Sequence, residues 1–480
     1  MKRYISILIL SCIIAVTKAQ NYNIMNYGAK SDTTLLSTTA IQRAIDECSS
    51  KGGGTVLVPA GNYLSTTIML KDNVNLYLDN GATIYASRKI SDYGGEKVSV
   101  GAADNEFIEV LVSANNVKNI SVTGKGTLNC RAERVAYRRE PKTNFNDSIT
   151  GREILNAIKY GVDYRDKFKK VPPFTGAINF TGCENVHIED IQVIESSFWS
   201  VHLQWCDRVY VNGIYIYSNP DNGVNADGLD IDGCSNVMIS DCNINTGDDA
   251  LCLKTTNRDG YSRACNGIAI TNCILTSSSA ALKFGTESNN NFENITISNC
   301  VIKDANRGIN MIMRDGGTIR NVTISNITIN TVRKATFWWG NGDPIWLTIQ
   351  SRNNHPSGGN IENVTLQNII AHGQSGIRVE GFSNRLNNIH FNNIQLFIEP
   401  ESAKDKRARD GYLFDGVNNL YMKECSLVWN KERVQKEWEN AYKFKNIDGL
   451  YIKDVIGEKS PNKGYEIFYY ENVNRAKIEK

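Results

Sequence analysis

The residues best suited to chemistry are acidic and lie close together. Asn225-Ala226-Asp227-Gly228 is followed by Asp230 and Asp232, and then by Gly247-Asp248-Asp249. A chain gains no stability by crowding carboxylates, because like charges raise each other's pKa. Such a group suits general acid–base hydrolysis of a glycosidic bond. One protonated carboxyl donates to the leaving oxygen while another, ionised, activates water. Two other readings fit the same residues: acidic turns, or a Ca²⁺ site, since hard oxygen ligands suit that ion. A Gly-Asp-Asp tripeptide alone does not choose among them. The choice depends on what positions the acids.

A repeat supplies the positioning. From about residue 115 a short pattern recurs: Asn, apolar, x, apolar, x, Asn/Asp, apolar, x, apolar. Frames start at Asn185, Arg208, Asn236, Gly267, Asn294, Asn321, Asn363, Asn388, Asn419 and Gly449. Three residues into them stand Ile188, Val211, Ile239, Ile270, Ile297, Ile324, Leu366, Phe391, Met422 and Ile452. Six residues in stand Ile191, Ile214, Cys242, Cys273, Cys300, Ile327, Ile369, Ile394, Cys425 and Val455. Period-two alternation within a unit marks strand. Spacings of 23 to 42 residues mark a solenoid with variable loops. The fold class expected is therefore all-β: a single-domain right-handed parallel β-helix, its coils ~4.8 Å apart around one apolar interior. The run Asn272, Asn299, Asn326, Asn368, Asn393 is expected at bends, with side chains bonding neighbouring backbone. On this scheme Asp227 and Asp248, 21 residues apart, fall on adjacent coils, with Asp249 at the same level.

The rest of the chain bounds the setting. It has 480 residues, 41% of them hydrophobic, enough for a large core. Residues 1–19 carry Lys2, Arg3 and Lys18 and no acid. Without them 53 basic residues become 50 against 51 acidic, with no basic run, which argues against nucleic acid as a partner. That same segment has a basic start, an apolar stretch from Ile5 to Val16 and Thr17-Lys18-Ala19, the pattern of a cleaved signal peptide. The expectation is a secreted or periplasmic protein with no stable membrane span. Ile9-Leu10-Ser11-Cys12 resembles a lipoprotein box only loosely, because the apolar run continues past it. Residues 20–100 are expected to form an N-terminal cap and the first coils, and 101–480 the solenoid. Thr38 to Ser49 has helical spacing, with Ser37 and Thr38 as cap candidates, and would close the solenoid's end. Residues 131–170 interrupt the pattern with Arg131, Arg134, Arg138 and Arg139, as a solvated loop or a cleft wall. Cys242, Cys273, Cys300 and Cys425 stand where Ile or Val stands elsewhere and read as small buried hydrophobes. The sequons at Asn119, Asn294, Asn321 and Asn363 repeat with the coil and read as structural.

At the acidic motifs the chain resembles glycoside hydrolase family 28, the polygalacturonase-like pectin hydrolases. NADGLDI followed by TGDDALCLK is similar to that family's Asn-Thr-Asp and Gly-Asp-Asp motifs at matching spacing. The opening YNIMNYGAKSD…AIQRAID…GGGTVLVPAGNYL looks like the start shared by pectin-active β-helix enzymes, and WWGNGDPI resembles a segment of bacterial members. The resemblance implies Asp248 as general acid, Asp227 and Asp249 as bases positioning water, and inversion at the anomeric carbon. It implies no metal and no organic cofactor. Two motifs depart: Ser279-Ala280-Ala281 stands where the family has Gly-His-Gly, and Asn310-Met311-Ile312 where it has Arg-Ile-Lys. The missing cations serve substrate binding in the family, and Lys254, Lys283, Arg307 and Arg314 are the nearby replacements. Asn225, His202 and the rings of Trp199, Trp338 and Trp339 complete the candidate cleft. The partner implied is a pectic, uronate-containing polysaccharide or oligosaccharide, bound by a monomer. The alternatives are a hydrolase of rhamnogalacturonan or another non-galacturonate α-glycoside, a β-helix lyase, and a non-catalytic carbohydrate-binding solenoid.

Overall fold

The computed structural model describes residues 21–93, 108–132, 137–140, 155–161, 167–170, 174–221, 223–334, 338–352, 358–382 and 385–479. The expected export signal and Arg134 of the insertion lie outside them. Within them the chain winds as a parallel β-helix: 36 strands form one continuous sheet, each pairing in parallel with the strand of the next coil.

The apolar column expected three residues into each frame is present rung for rung. Ile188 pairs with Val211, then follow Ile239, Ile270, Ile297, Ile324, Leu366, Phe391, Met422 and Ile452. All ten are buried in a single core cluster. One coil alone leaves its inward side chains open to water at both ends, so each rung is desolvated by the rungs above and below it together with the inward residues of its own coil. Leu366→Ala should therefore cost about 2–5 kcal/mol, read as a lowered melting temperature in thermal denaturation. Cys242, Cys273, Cys300 and Cys425 are buried in this interior as free thiols. A second thiol column, Cys183, Cys206 and Cys234, was not apparent from the frames; the Cys206 backbone N–H donates to Cys234 Sγ at 3.3 Å.

The asparagines explain the bends, though not by the bonds expected. Asn272, Asn299, Asn326, Asn368 and Asn393 all take left-handed backbone, with φ between 50° and 56°. Asn adopts that region more readily than other non-glycine residues. From Asn299 onward their amides bond one another along the stack instead of nearby backbone: Asn326 Nδ2 to Asn299 Oδ1 at 3.2 Å, Asn368 to Asn326 at 3.1 Å, Asn393 to Asn368 at 3.0 Å. Asn272 and Asn299 donate instead to the side chains of Asp241 and Thr271, each at 3.4 Å. Identical bends one coil apart bring each donor to the next acceptor. The sequon residues Asn321 and Asn363 extend a parallel ladder, each donating to the Asn one coil before.

The helix Thr38–Ser50 covers the first coils with Ala40, Ile41, Ala44, Ile45 and Cys48. Gln42 clasps Met69, accepting from its N–H and donating to its carbonyl. Ser37 precedes the helix but makes no side-chain cap; its hydroxyl is engaged with the backbone of Lys30. The insertion contains an antiparallel pair, Tyr137–Glu140 with Lys167–Lys170. Its helical turn, 155–159, lands far along the solenoid: Asn156 Nδ2 donates to the Lys406 carbonyl at 3.1 Å, and Tyr160 Oη to Glu437 at 3.1 Å.

One face positions the chemistry. The strands Val201–Gln204, Leu229–Asp232, Leu251–Thr255, Ala280–Ser288 and Arg307–Met313 stack in register, so His202, Asp230, Cys252, Lys283 and Asn310 form one outward column. Leu229, Ile231, Leu251 and Leu253 alternate inward to the core.

Candidate active site

Asp227 and Asp249 each stand two residues before a strand of this face, at the same turn of adjacent coils. The Gly228 N–H donates to the Asp249 carbonyl at 2.8 Å, and the Leu229 N–H to Ala250 at 2.9 Å, which locks the two turns together. Gly247 is required by the approach of another loop: a Cβ there would lie 2.2 Å from the Asn219 carbonyl oxygen. The sequence Gly-Asp-Asp thus packs its first residue tightly and projects the next two.

Asp248 is oriented by backbone alone. Its carboxyl accepts the Asn225 N–H at 2.9 Å and the Asp249 N–H at 3.0 Å. Asn225 takes left-handed backbone, φ 66°, in doing so. Asp249 is oriented by side chains from the next coil: Ser279 Oγ at 2.7 Å, the Ala280 N–H at 3.1 Å and Lys283 Nζ at 2.5 Å. Arg307 lies one coil further on. Its guanidinium donates to Ser279 and stands 3.7 Å from Asp249. It also donates to Asn310 at 2.9 Å, and Asn310 in turn donates to the Trp346 carbonyl at 2.9 Å.

These environments drive the acids apart. Burial works against the charged form of Asp249, but Lys283, Arg307 and Lys254 outweigh it and hold its pKa at about 2. Burial raises Asp248 well above the usual carboxylate range, with Asp227 and Asp249 adding to it and Lys283 opposing. Burial likewise raises Asp227, with Asp230 adding and Lys254 opposing. Asp230 is pushed up to about 7, first by burial. The four carboxyls face three cations, Lys254, Lys283 and Arg307, so the cluster keeps a proton at little cost. Two acids with opposed proton affinities at one place are what acid–base catalysis needs. Solvent reaches Asp248 (8% exposed) and Lys283 (7%) more than Asp227 (2%) or Asp249 (1%).

The remaining candidates fall into two groups. Lys254 is buried under the acids, 3.2 Å from Asp227, 3.4 Å from Asp230 and 3.6 Å from Glu287, with the Trp199 ring 4.3 Å from its ammonium. It acts there as counter-ion to the acids, whereas the sequence offered it as a replacement for a missing substrate-binding cation. Asp227, Asp230 and Cys252 could also hold a cation by their spacing, but the Lys254 ammonium already supplies positive charge to both carboxylates. His202 is buried too: its Nε2 is 3.2 Å from Asp232, and its ring meets Trp199 edge-on at 4.9 Å. It pins Asp232 from the coil before; desolvation lowers its own proton affinity, with Asp232 opposing. Arg314 stands 5.5 Å from the Trp339 ring, which packs against Ile312 and Trp346. Asp230 was named only as one of the clustered acids, and Ser279 and Asn310 only as departures from the family's motifs; none was given a role in the site. Asp230 was readable, being one step of period two from Asp232 on a strand; Ser279 and Asn310 depend on register between coils. A cavity of about 920 Å³ between Tyr160, His372 and Glu401 contains none of these residues.

The chain is similar to known proteins over much of its length. A probable polygalacturonase of Vitis vinifera is 26% identical over 247 residues, 50% of this chain and 45% of the relative. An exo-poly-alpha-D-galacturonosidase of Dickeya chrysanthemi is 25% identical over 252 residues, 48% of this chain and 41% of the relative. The chain thus spans less than half the length of either. The crystal structure of a hyperthermoactive exopolygalacturonase from Thermotoga maritima superposes with a TM-score of 0.64 at 21% identity, covering 85% of this chain and 92% of that one, and shows the shared fold. The family model described as glycosyl hydrolases family 28 matches residues 48–407. With well over half its length matched, its solenoid and its paired aspartates in place, the chain belongs to glycosyl hydrolases family 28.

Proposed function

We propose that the protein is an exported hydrolase cleaving α-galacturonosyl or related linkages of pectic polysaccharide with inversion. The observation that carries this reading is the pairing of Asp248, which binds its proton tightly, with Asp249, which is held ionised. Asp248 gives its proton to the leaving oxygen as the glycosidic C–O bond breaks. Water attacks the anomeric carbon from the opposite side and loses a proton to Asp249, with Asp227 beside it. One bond forms, one breaks, and the two carboxyls exchange protonation states. On this reading Arg314, beside the Trp339 ring, meets a uronate carboxylate, while Lys283 keeps Asp249 ionised. Relatives named for polygalacturonase and exo-poly-alpha-D-galacturonosidase activity support the substrate class and an exo mode. Export rests on the pattern of residues 1–19.

The test is to incubate the mature protein with polygalacturonan, rhamnogalacturonan and defined oligosaccharides and to separate the products. A saturated monosaccharide is expected and would mean exo action; a ladder of oligomers would mean endo action. Products absorbing in the ultraviolet would replace hydrolysis by elimination. Cleavage of rhamnogalacturonan alone would move the substrate, which the substitution of Asn310 for a clamp cation makes a specific alternative.

A further inference from the structure

The outward column beside Asp249 continues well past the carboxylates. Lys283, Asn310, Trp346, Arg378, Leu413 and Lys443 are successive rungs. At ~4.8 Å per rung, Lys443 stands about 24 Å from Lys283. The last three rungs floor a separate cavity of about 300 Å³, lined also by Asn156, Arg409, Asp410 and Glu439.

The cavity has one rigid side and one adaptable side. Arg378 is fixed: it grips Asp343 at 2.7 and 2.9 Å and Glu380 at 2.8 Å, and lies 4.2 Å from the Trp346 ring. Lys443 is a quarter exposed and pairs more loosely, 3.6 Å from Asp410 and 3.9 Å from Glu439. Burial raises the proton affinity of Asp410, against Lys443 and the Asn440 amide. Arg409 stands beside Tyr160 of the insertion, and Asn156 is brought to the rim by its bond to Lys406. Two segments some 250 residues apart in sequence therefore meet to build one pocket. Leu413 offers an apolar floor, while cations and carboxylates interleave at the rim. A hydroxyl both donates and accepts, so a rim of alternating sign satisfies a ring of hydroxyls.

We infer that this pocket is a distal subsite for one pyranose unit of the polysaccharide, held by its hydroxyls between Arg409, Lys443, Asp410 and Glu439. The polymer comes from the proposed function; the pocket does not depend on it.

The test uses Arg409→Ala and Lys443→Ala in the otherwise intact protein. KM is measured for the shortest oligosaccharide cleaved and for one long enough to span the ~24 Å to the pocket. The expected result is a rise in KM of about tenfold for the long substrate, with kcat and the short substrate unchanged. Equal effects on both substrates, or none on either, would overturn the subsite. Calorimetric titration of Asp248→Asn protein, with and without Arg409→Ala, keeps the two readings separate. If no pectic substrate is cleaved but a neutral oligosaccharide binds and loses affinity with Arg409→Ala, the pocket stands and the pectic reading falls. If no acidic or neutral oligosaccharide's affinity depends on Arg409 or Lys443, the pocket inference falls whatever the activity.

Discussion

Asp248→Asn should reduce kcat by about 10²–10⁴-fold, the usual contribution of a positioned general acid. The substitution keeps the shape of the side chain and removes the proton. Both carboxylate oxygens accept a backbone N–H, from Asn225 and from Asp249. An amide accepts at one end only, so its NH₂ will face a donor and cost about 1–3 kcal/mol. The melting temperature should fall modestly, while circular dichroism and affinity for substrate stay near wild type. A kcat close to wild type would remove Asp248 from the acid role. A collapse of substrate affinity together with kcat would mean the residue holds the turn and not the proton. The wild-type profile should lose activity on the alkaline side, as Asp248 loses its proton, and on the acid side only towards about pH 2, where Asp249 takes one up.

The solenoid was legible because its determinants are local and repeated. Left-handed Asn at a fixed place in each frame, followed by alternating aliphatics, states where a coil bends and which side faces in. The column from Ile188 to Ile452 follows from that alone. The three aspartates were legible for the same reason: 21 residues between Asp227 and Asp248 is close to one coil, so the pair had to meet. What the repeat does not state is register between specific side chains whose coils carry loops of different lengths. His202 was placed on the correct face, yet its partner Asp232 is 30 residues away and decides that it braces a carboxylate. Lys254 was expected to reach substrate, but period two on its strand only says that it points outward. Three carboxylates from different places converge on its ammonium and bury it. The replacement of the missing clamp is of the same kind. The position expected to hold a cation has Asn310, and the positive charge comes from Lys283 one coil before and Arg307 three residues before. The landing of the insertion on Lys406 and Glu437 had no local signal at all.

Lys283→Met tests whether that borrowed charge sets the chemistry. The methionine fills similar space and leaves Asp249 with Ser279, the Ala280 N–H and a guanidinium 3.7 Å away. Losing an adjacent cation typically raises a carboxylate pKa by about 1–3 units. Asp249 starts at about 2, so the acid limb of kcat/KM should move upward by that amount, and activity in mildly acidic solution should fall first. The stability consequence has a definite sign. A depressed carboxylate pKa stabilises the folded state above the unfolded value near 4, and that contribution is lost as pH falls towards 2. The variant should therefore be less stable than wild type at neutral pH, by about 1.4–4 kcal/mol, the free-energy equivalent of that shift. The gap should narrow as the pH drops and Asp249 is neutralised in both proteins. Denaturant melts at pH 7 and pH 3, run beside the pH–rate profile, check both halves. A variant that loses activity equally at every pH, with its limb unmoved, would make Lys283 a contact for substrate instead of the group that keeps Asp249 ionised.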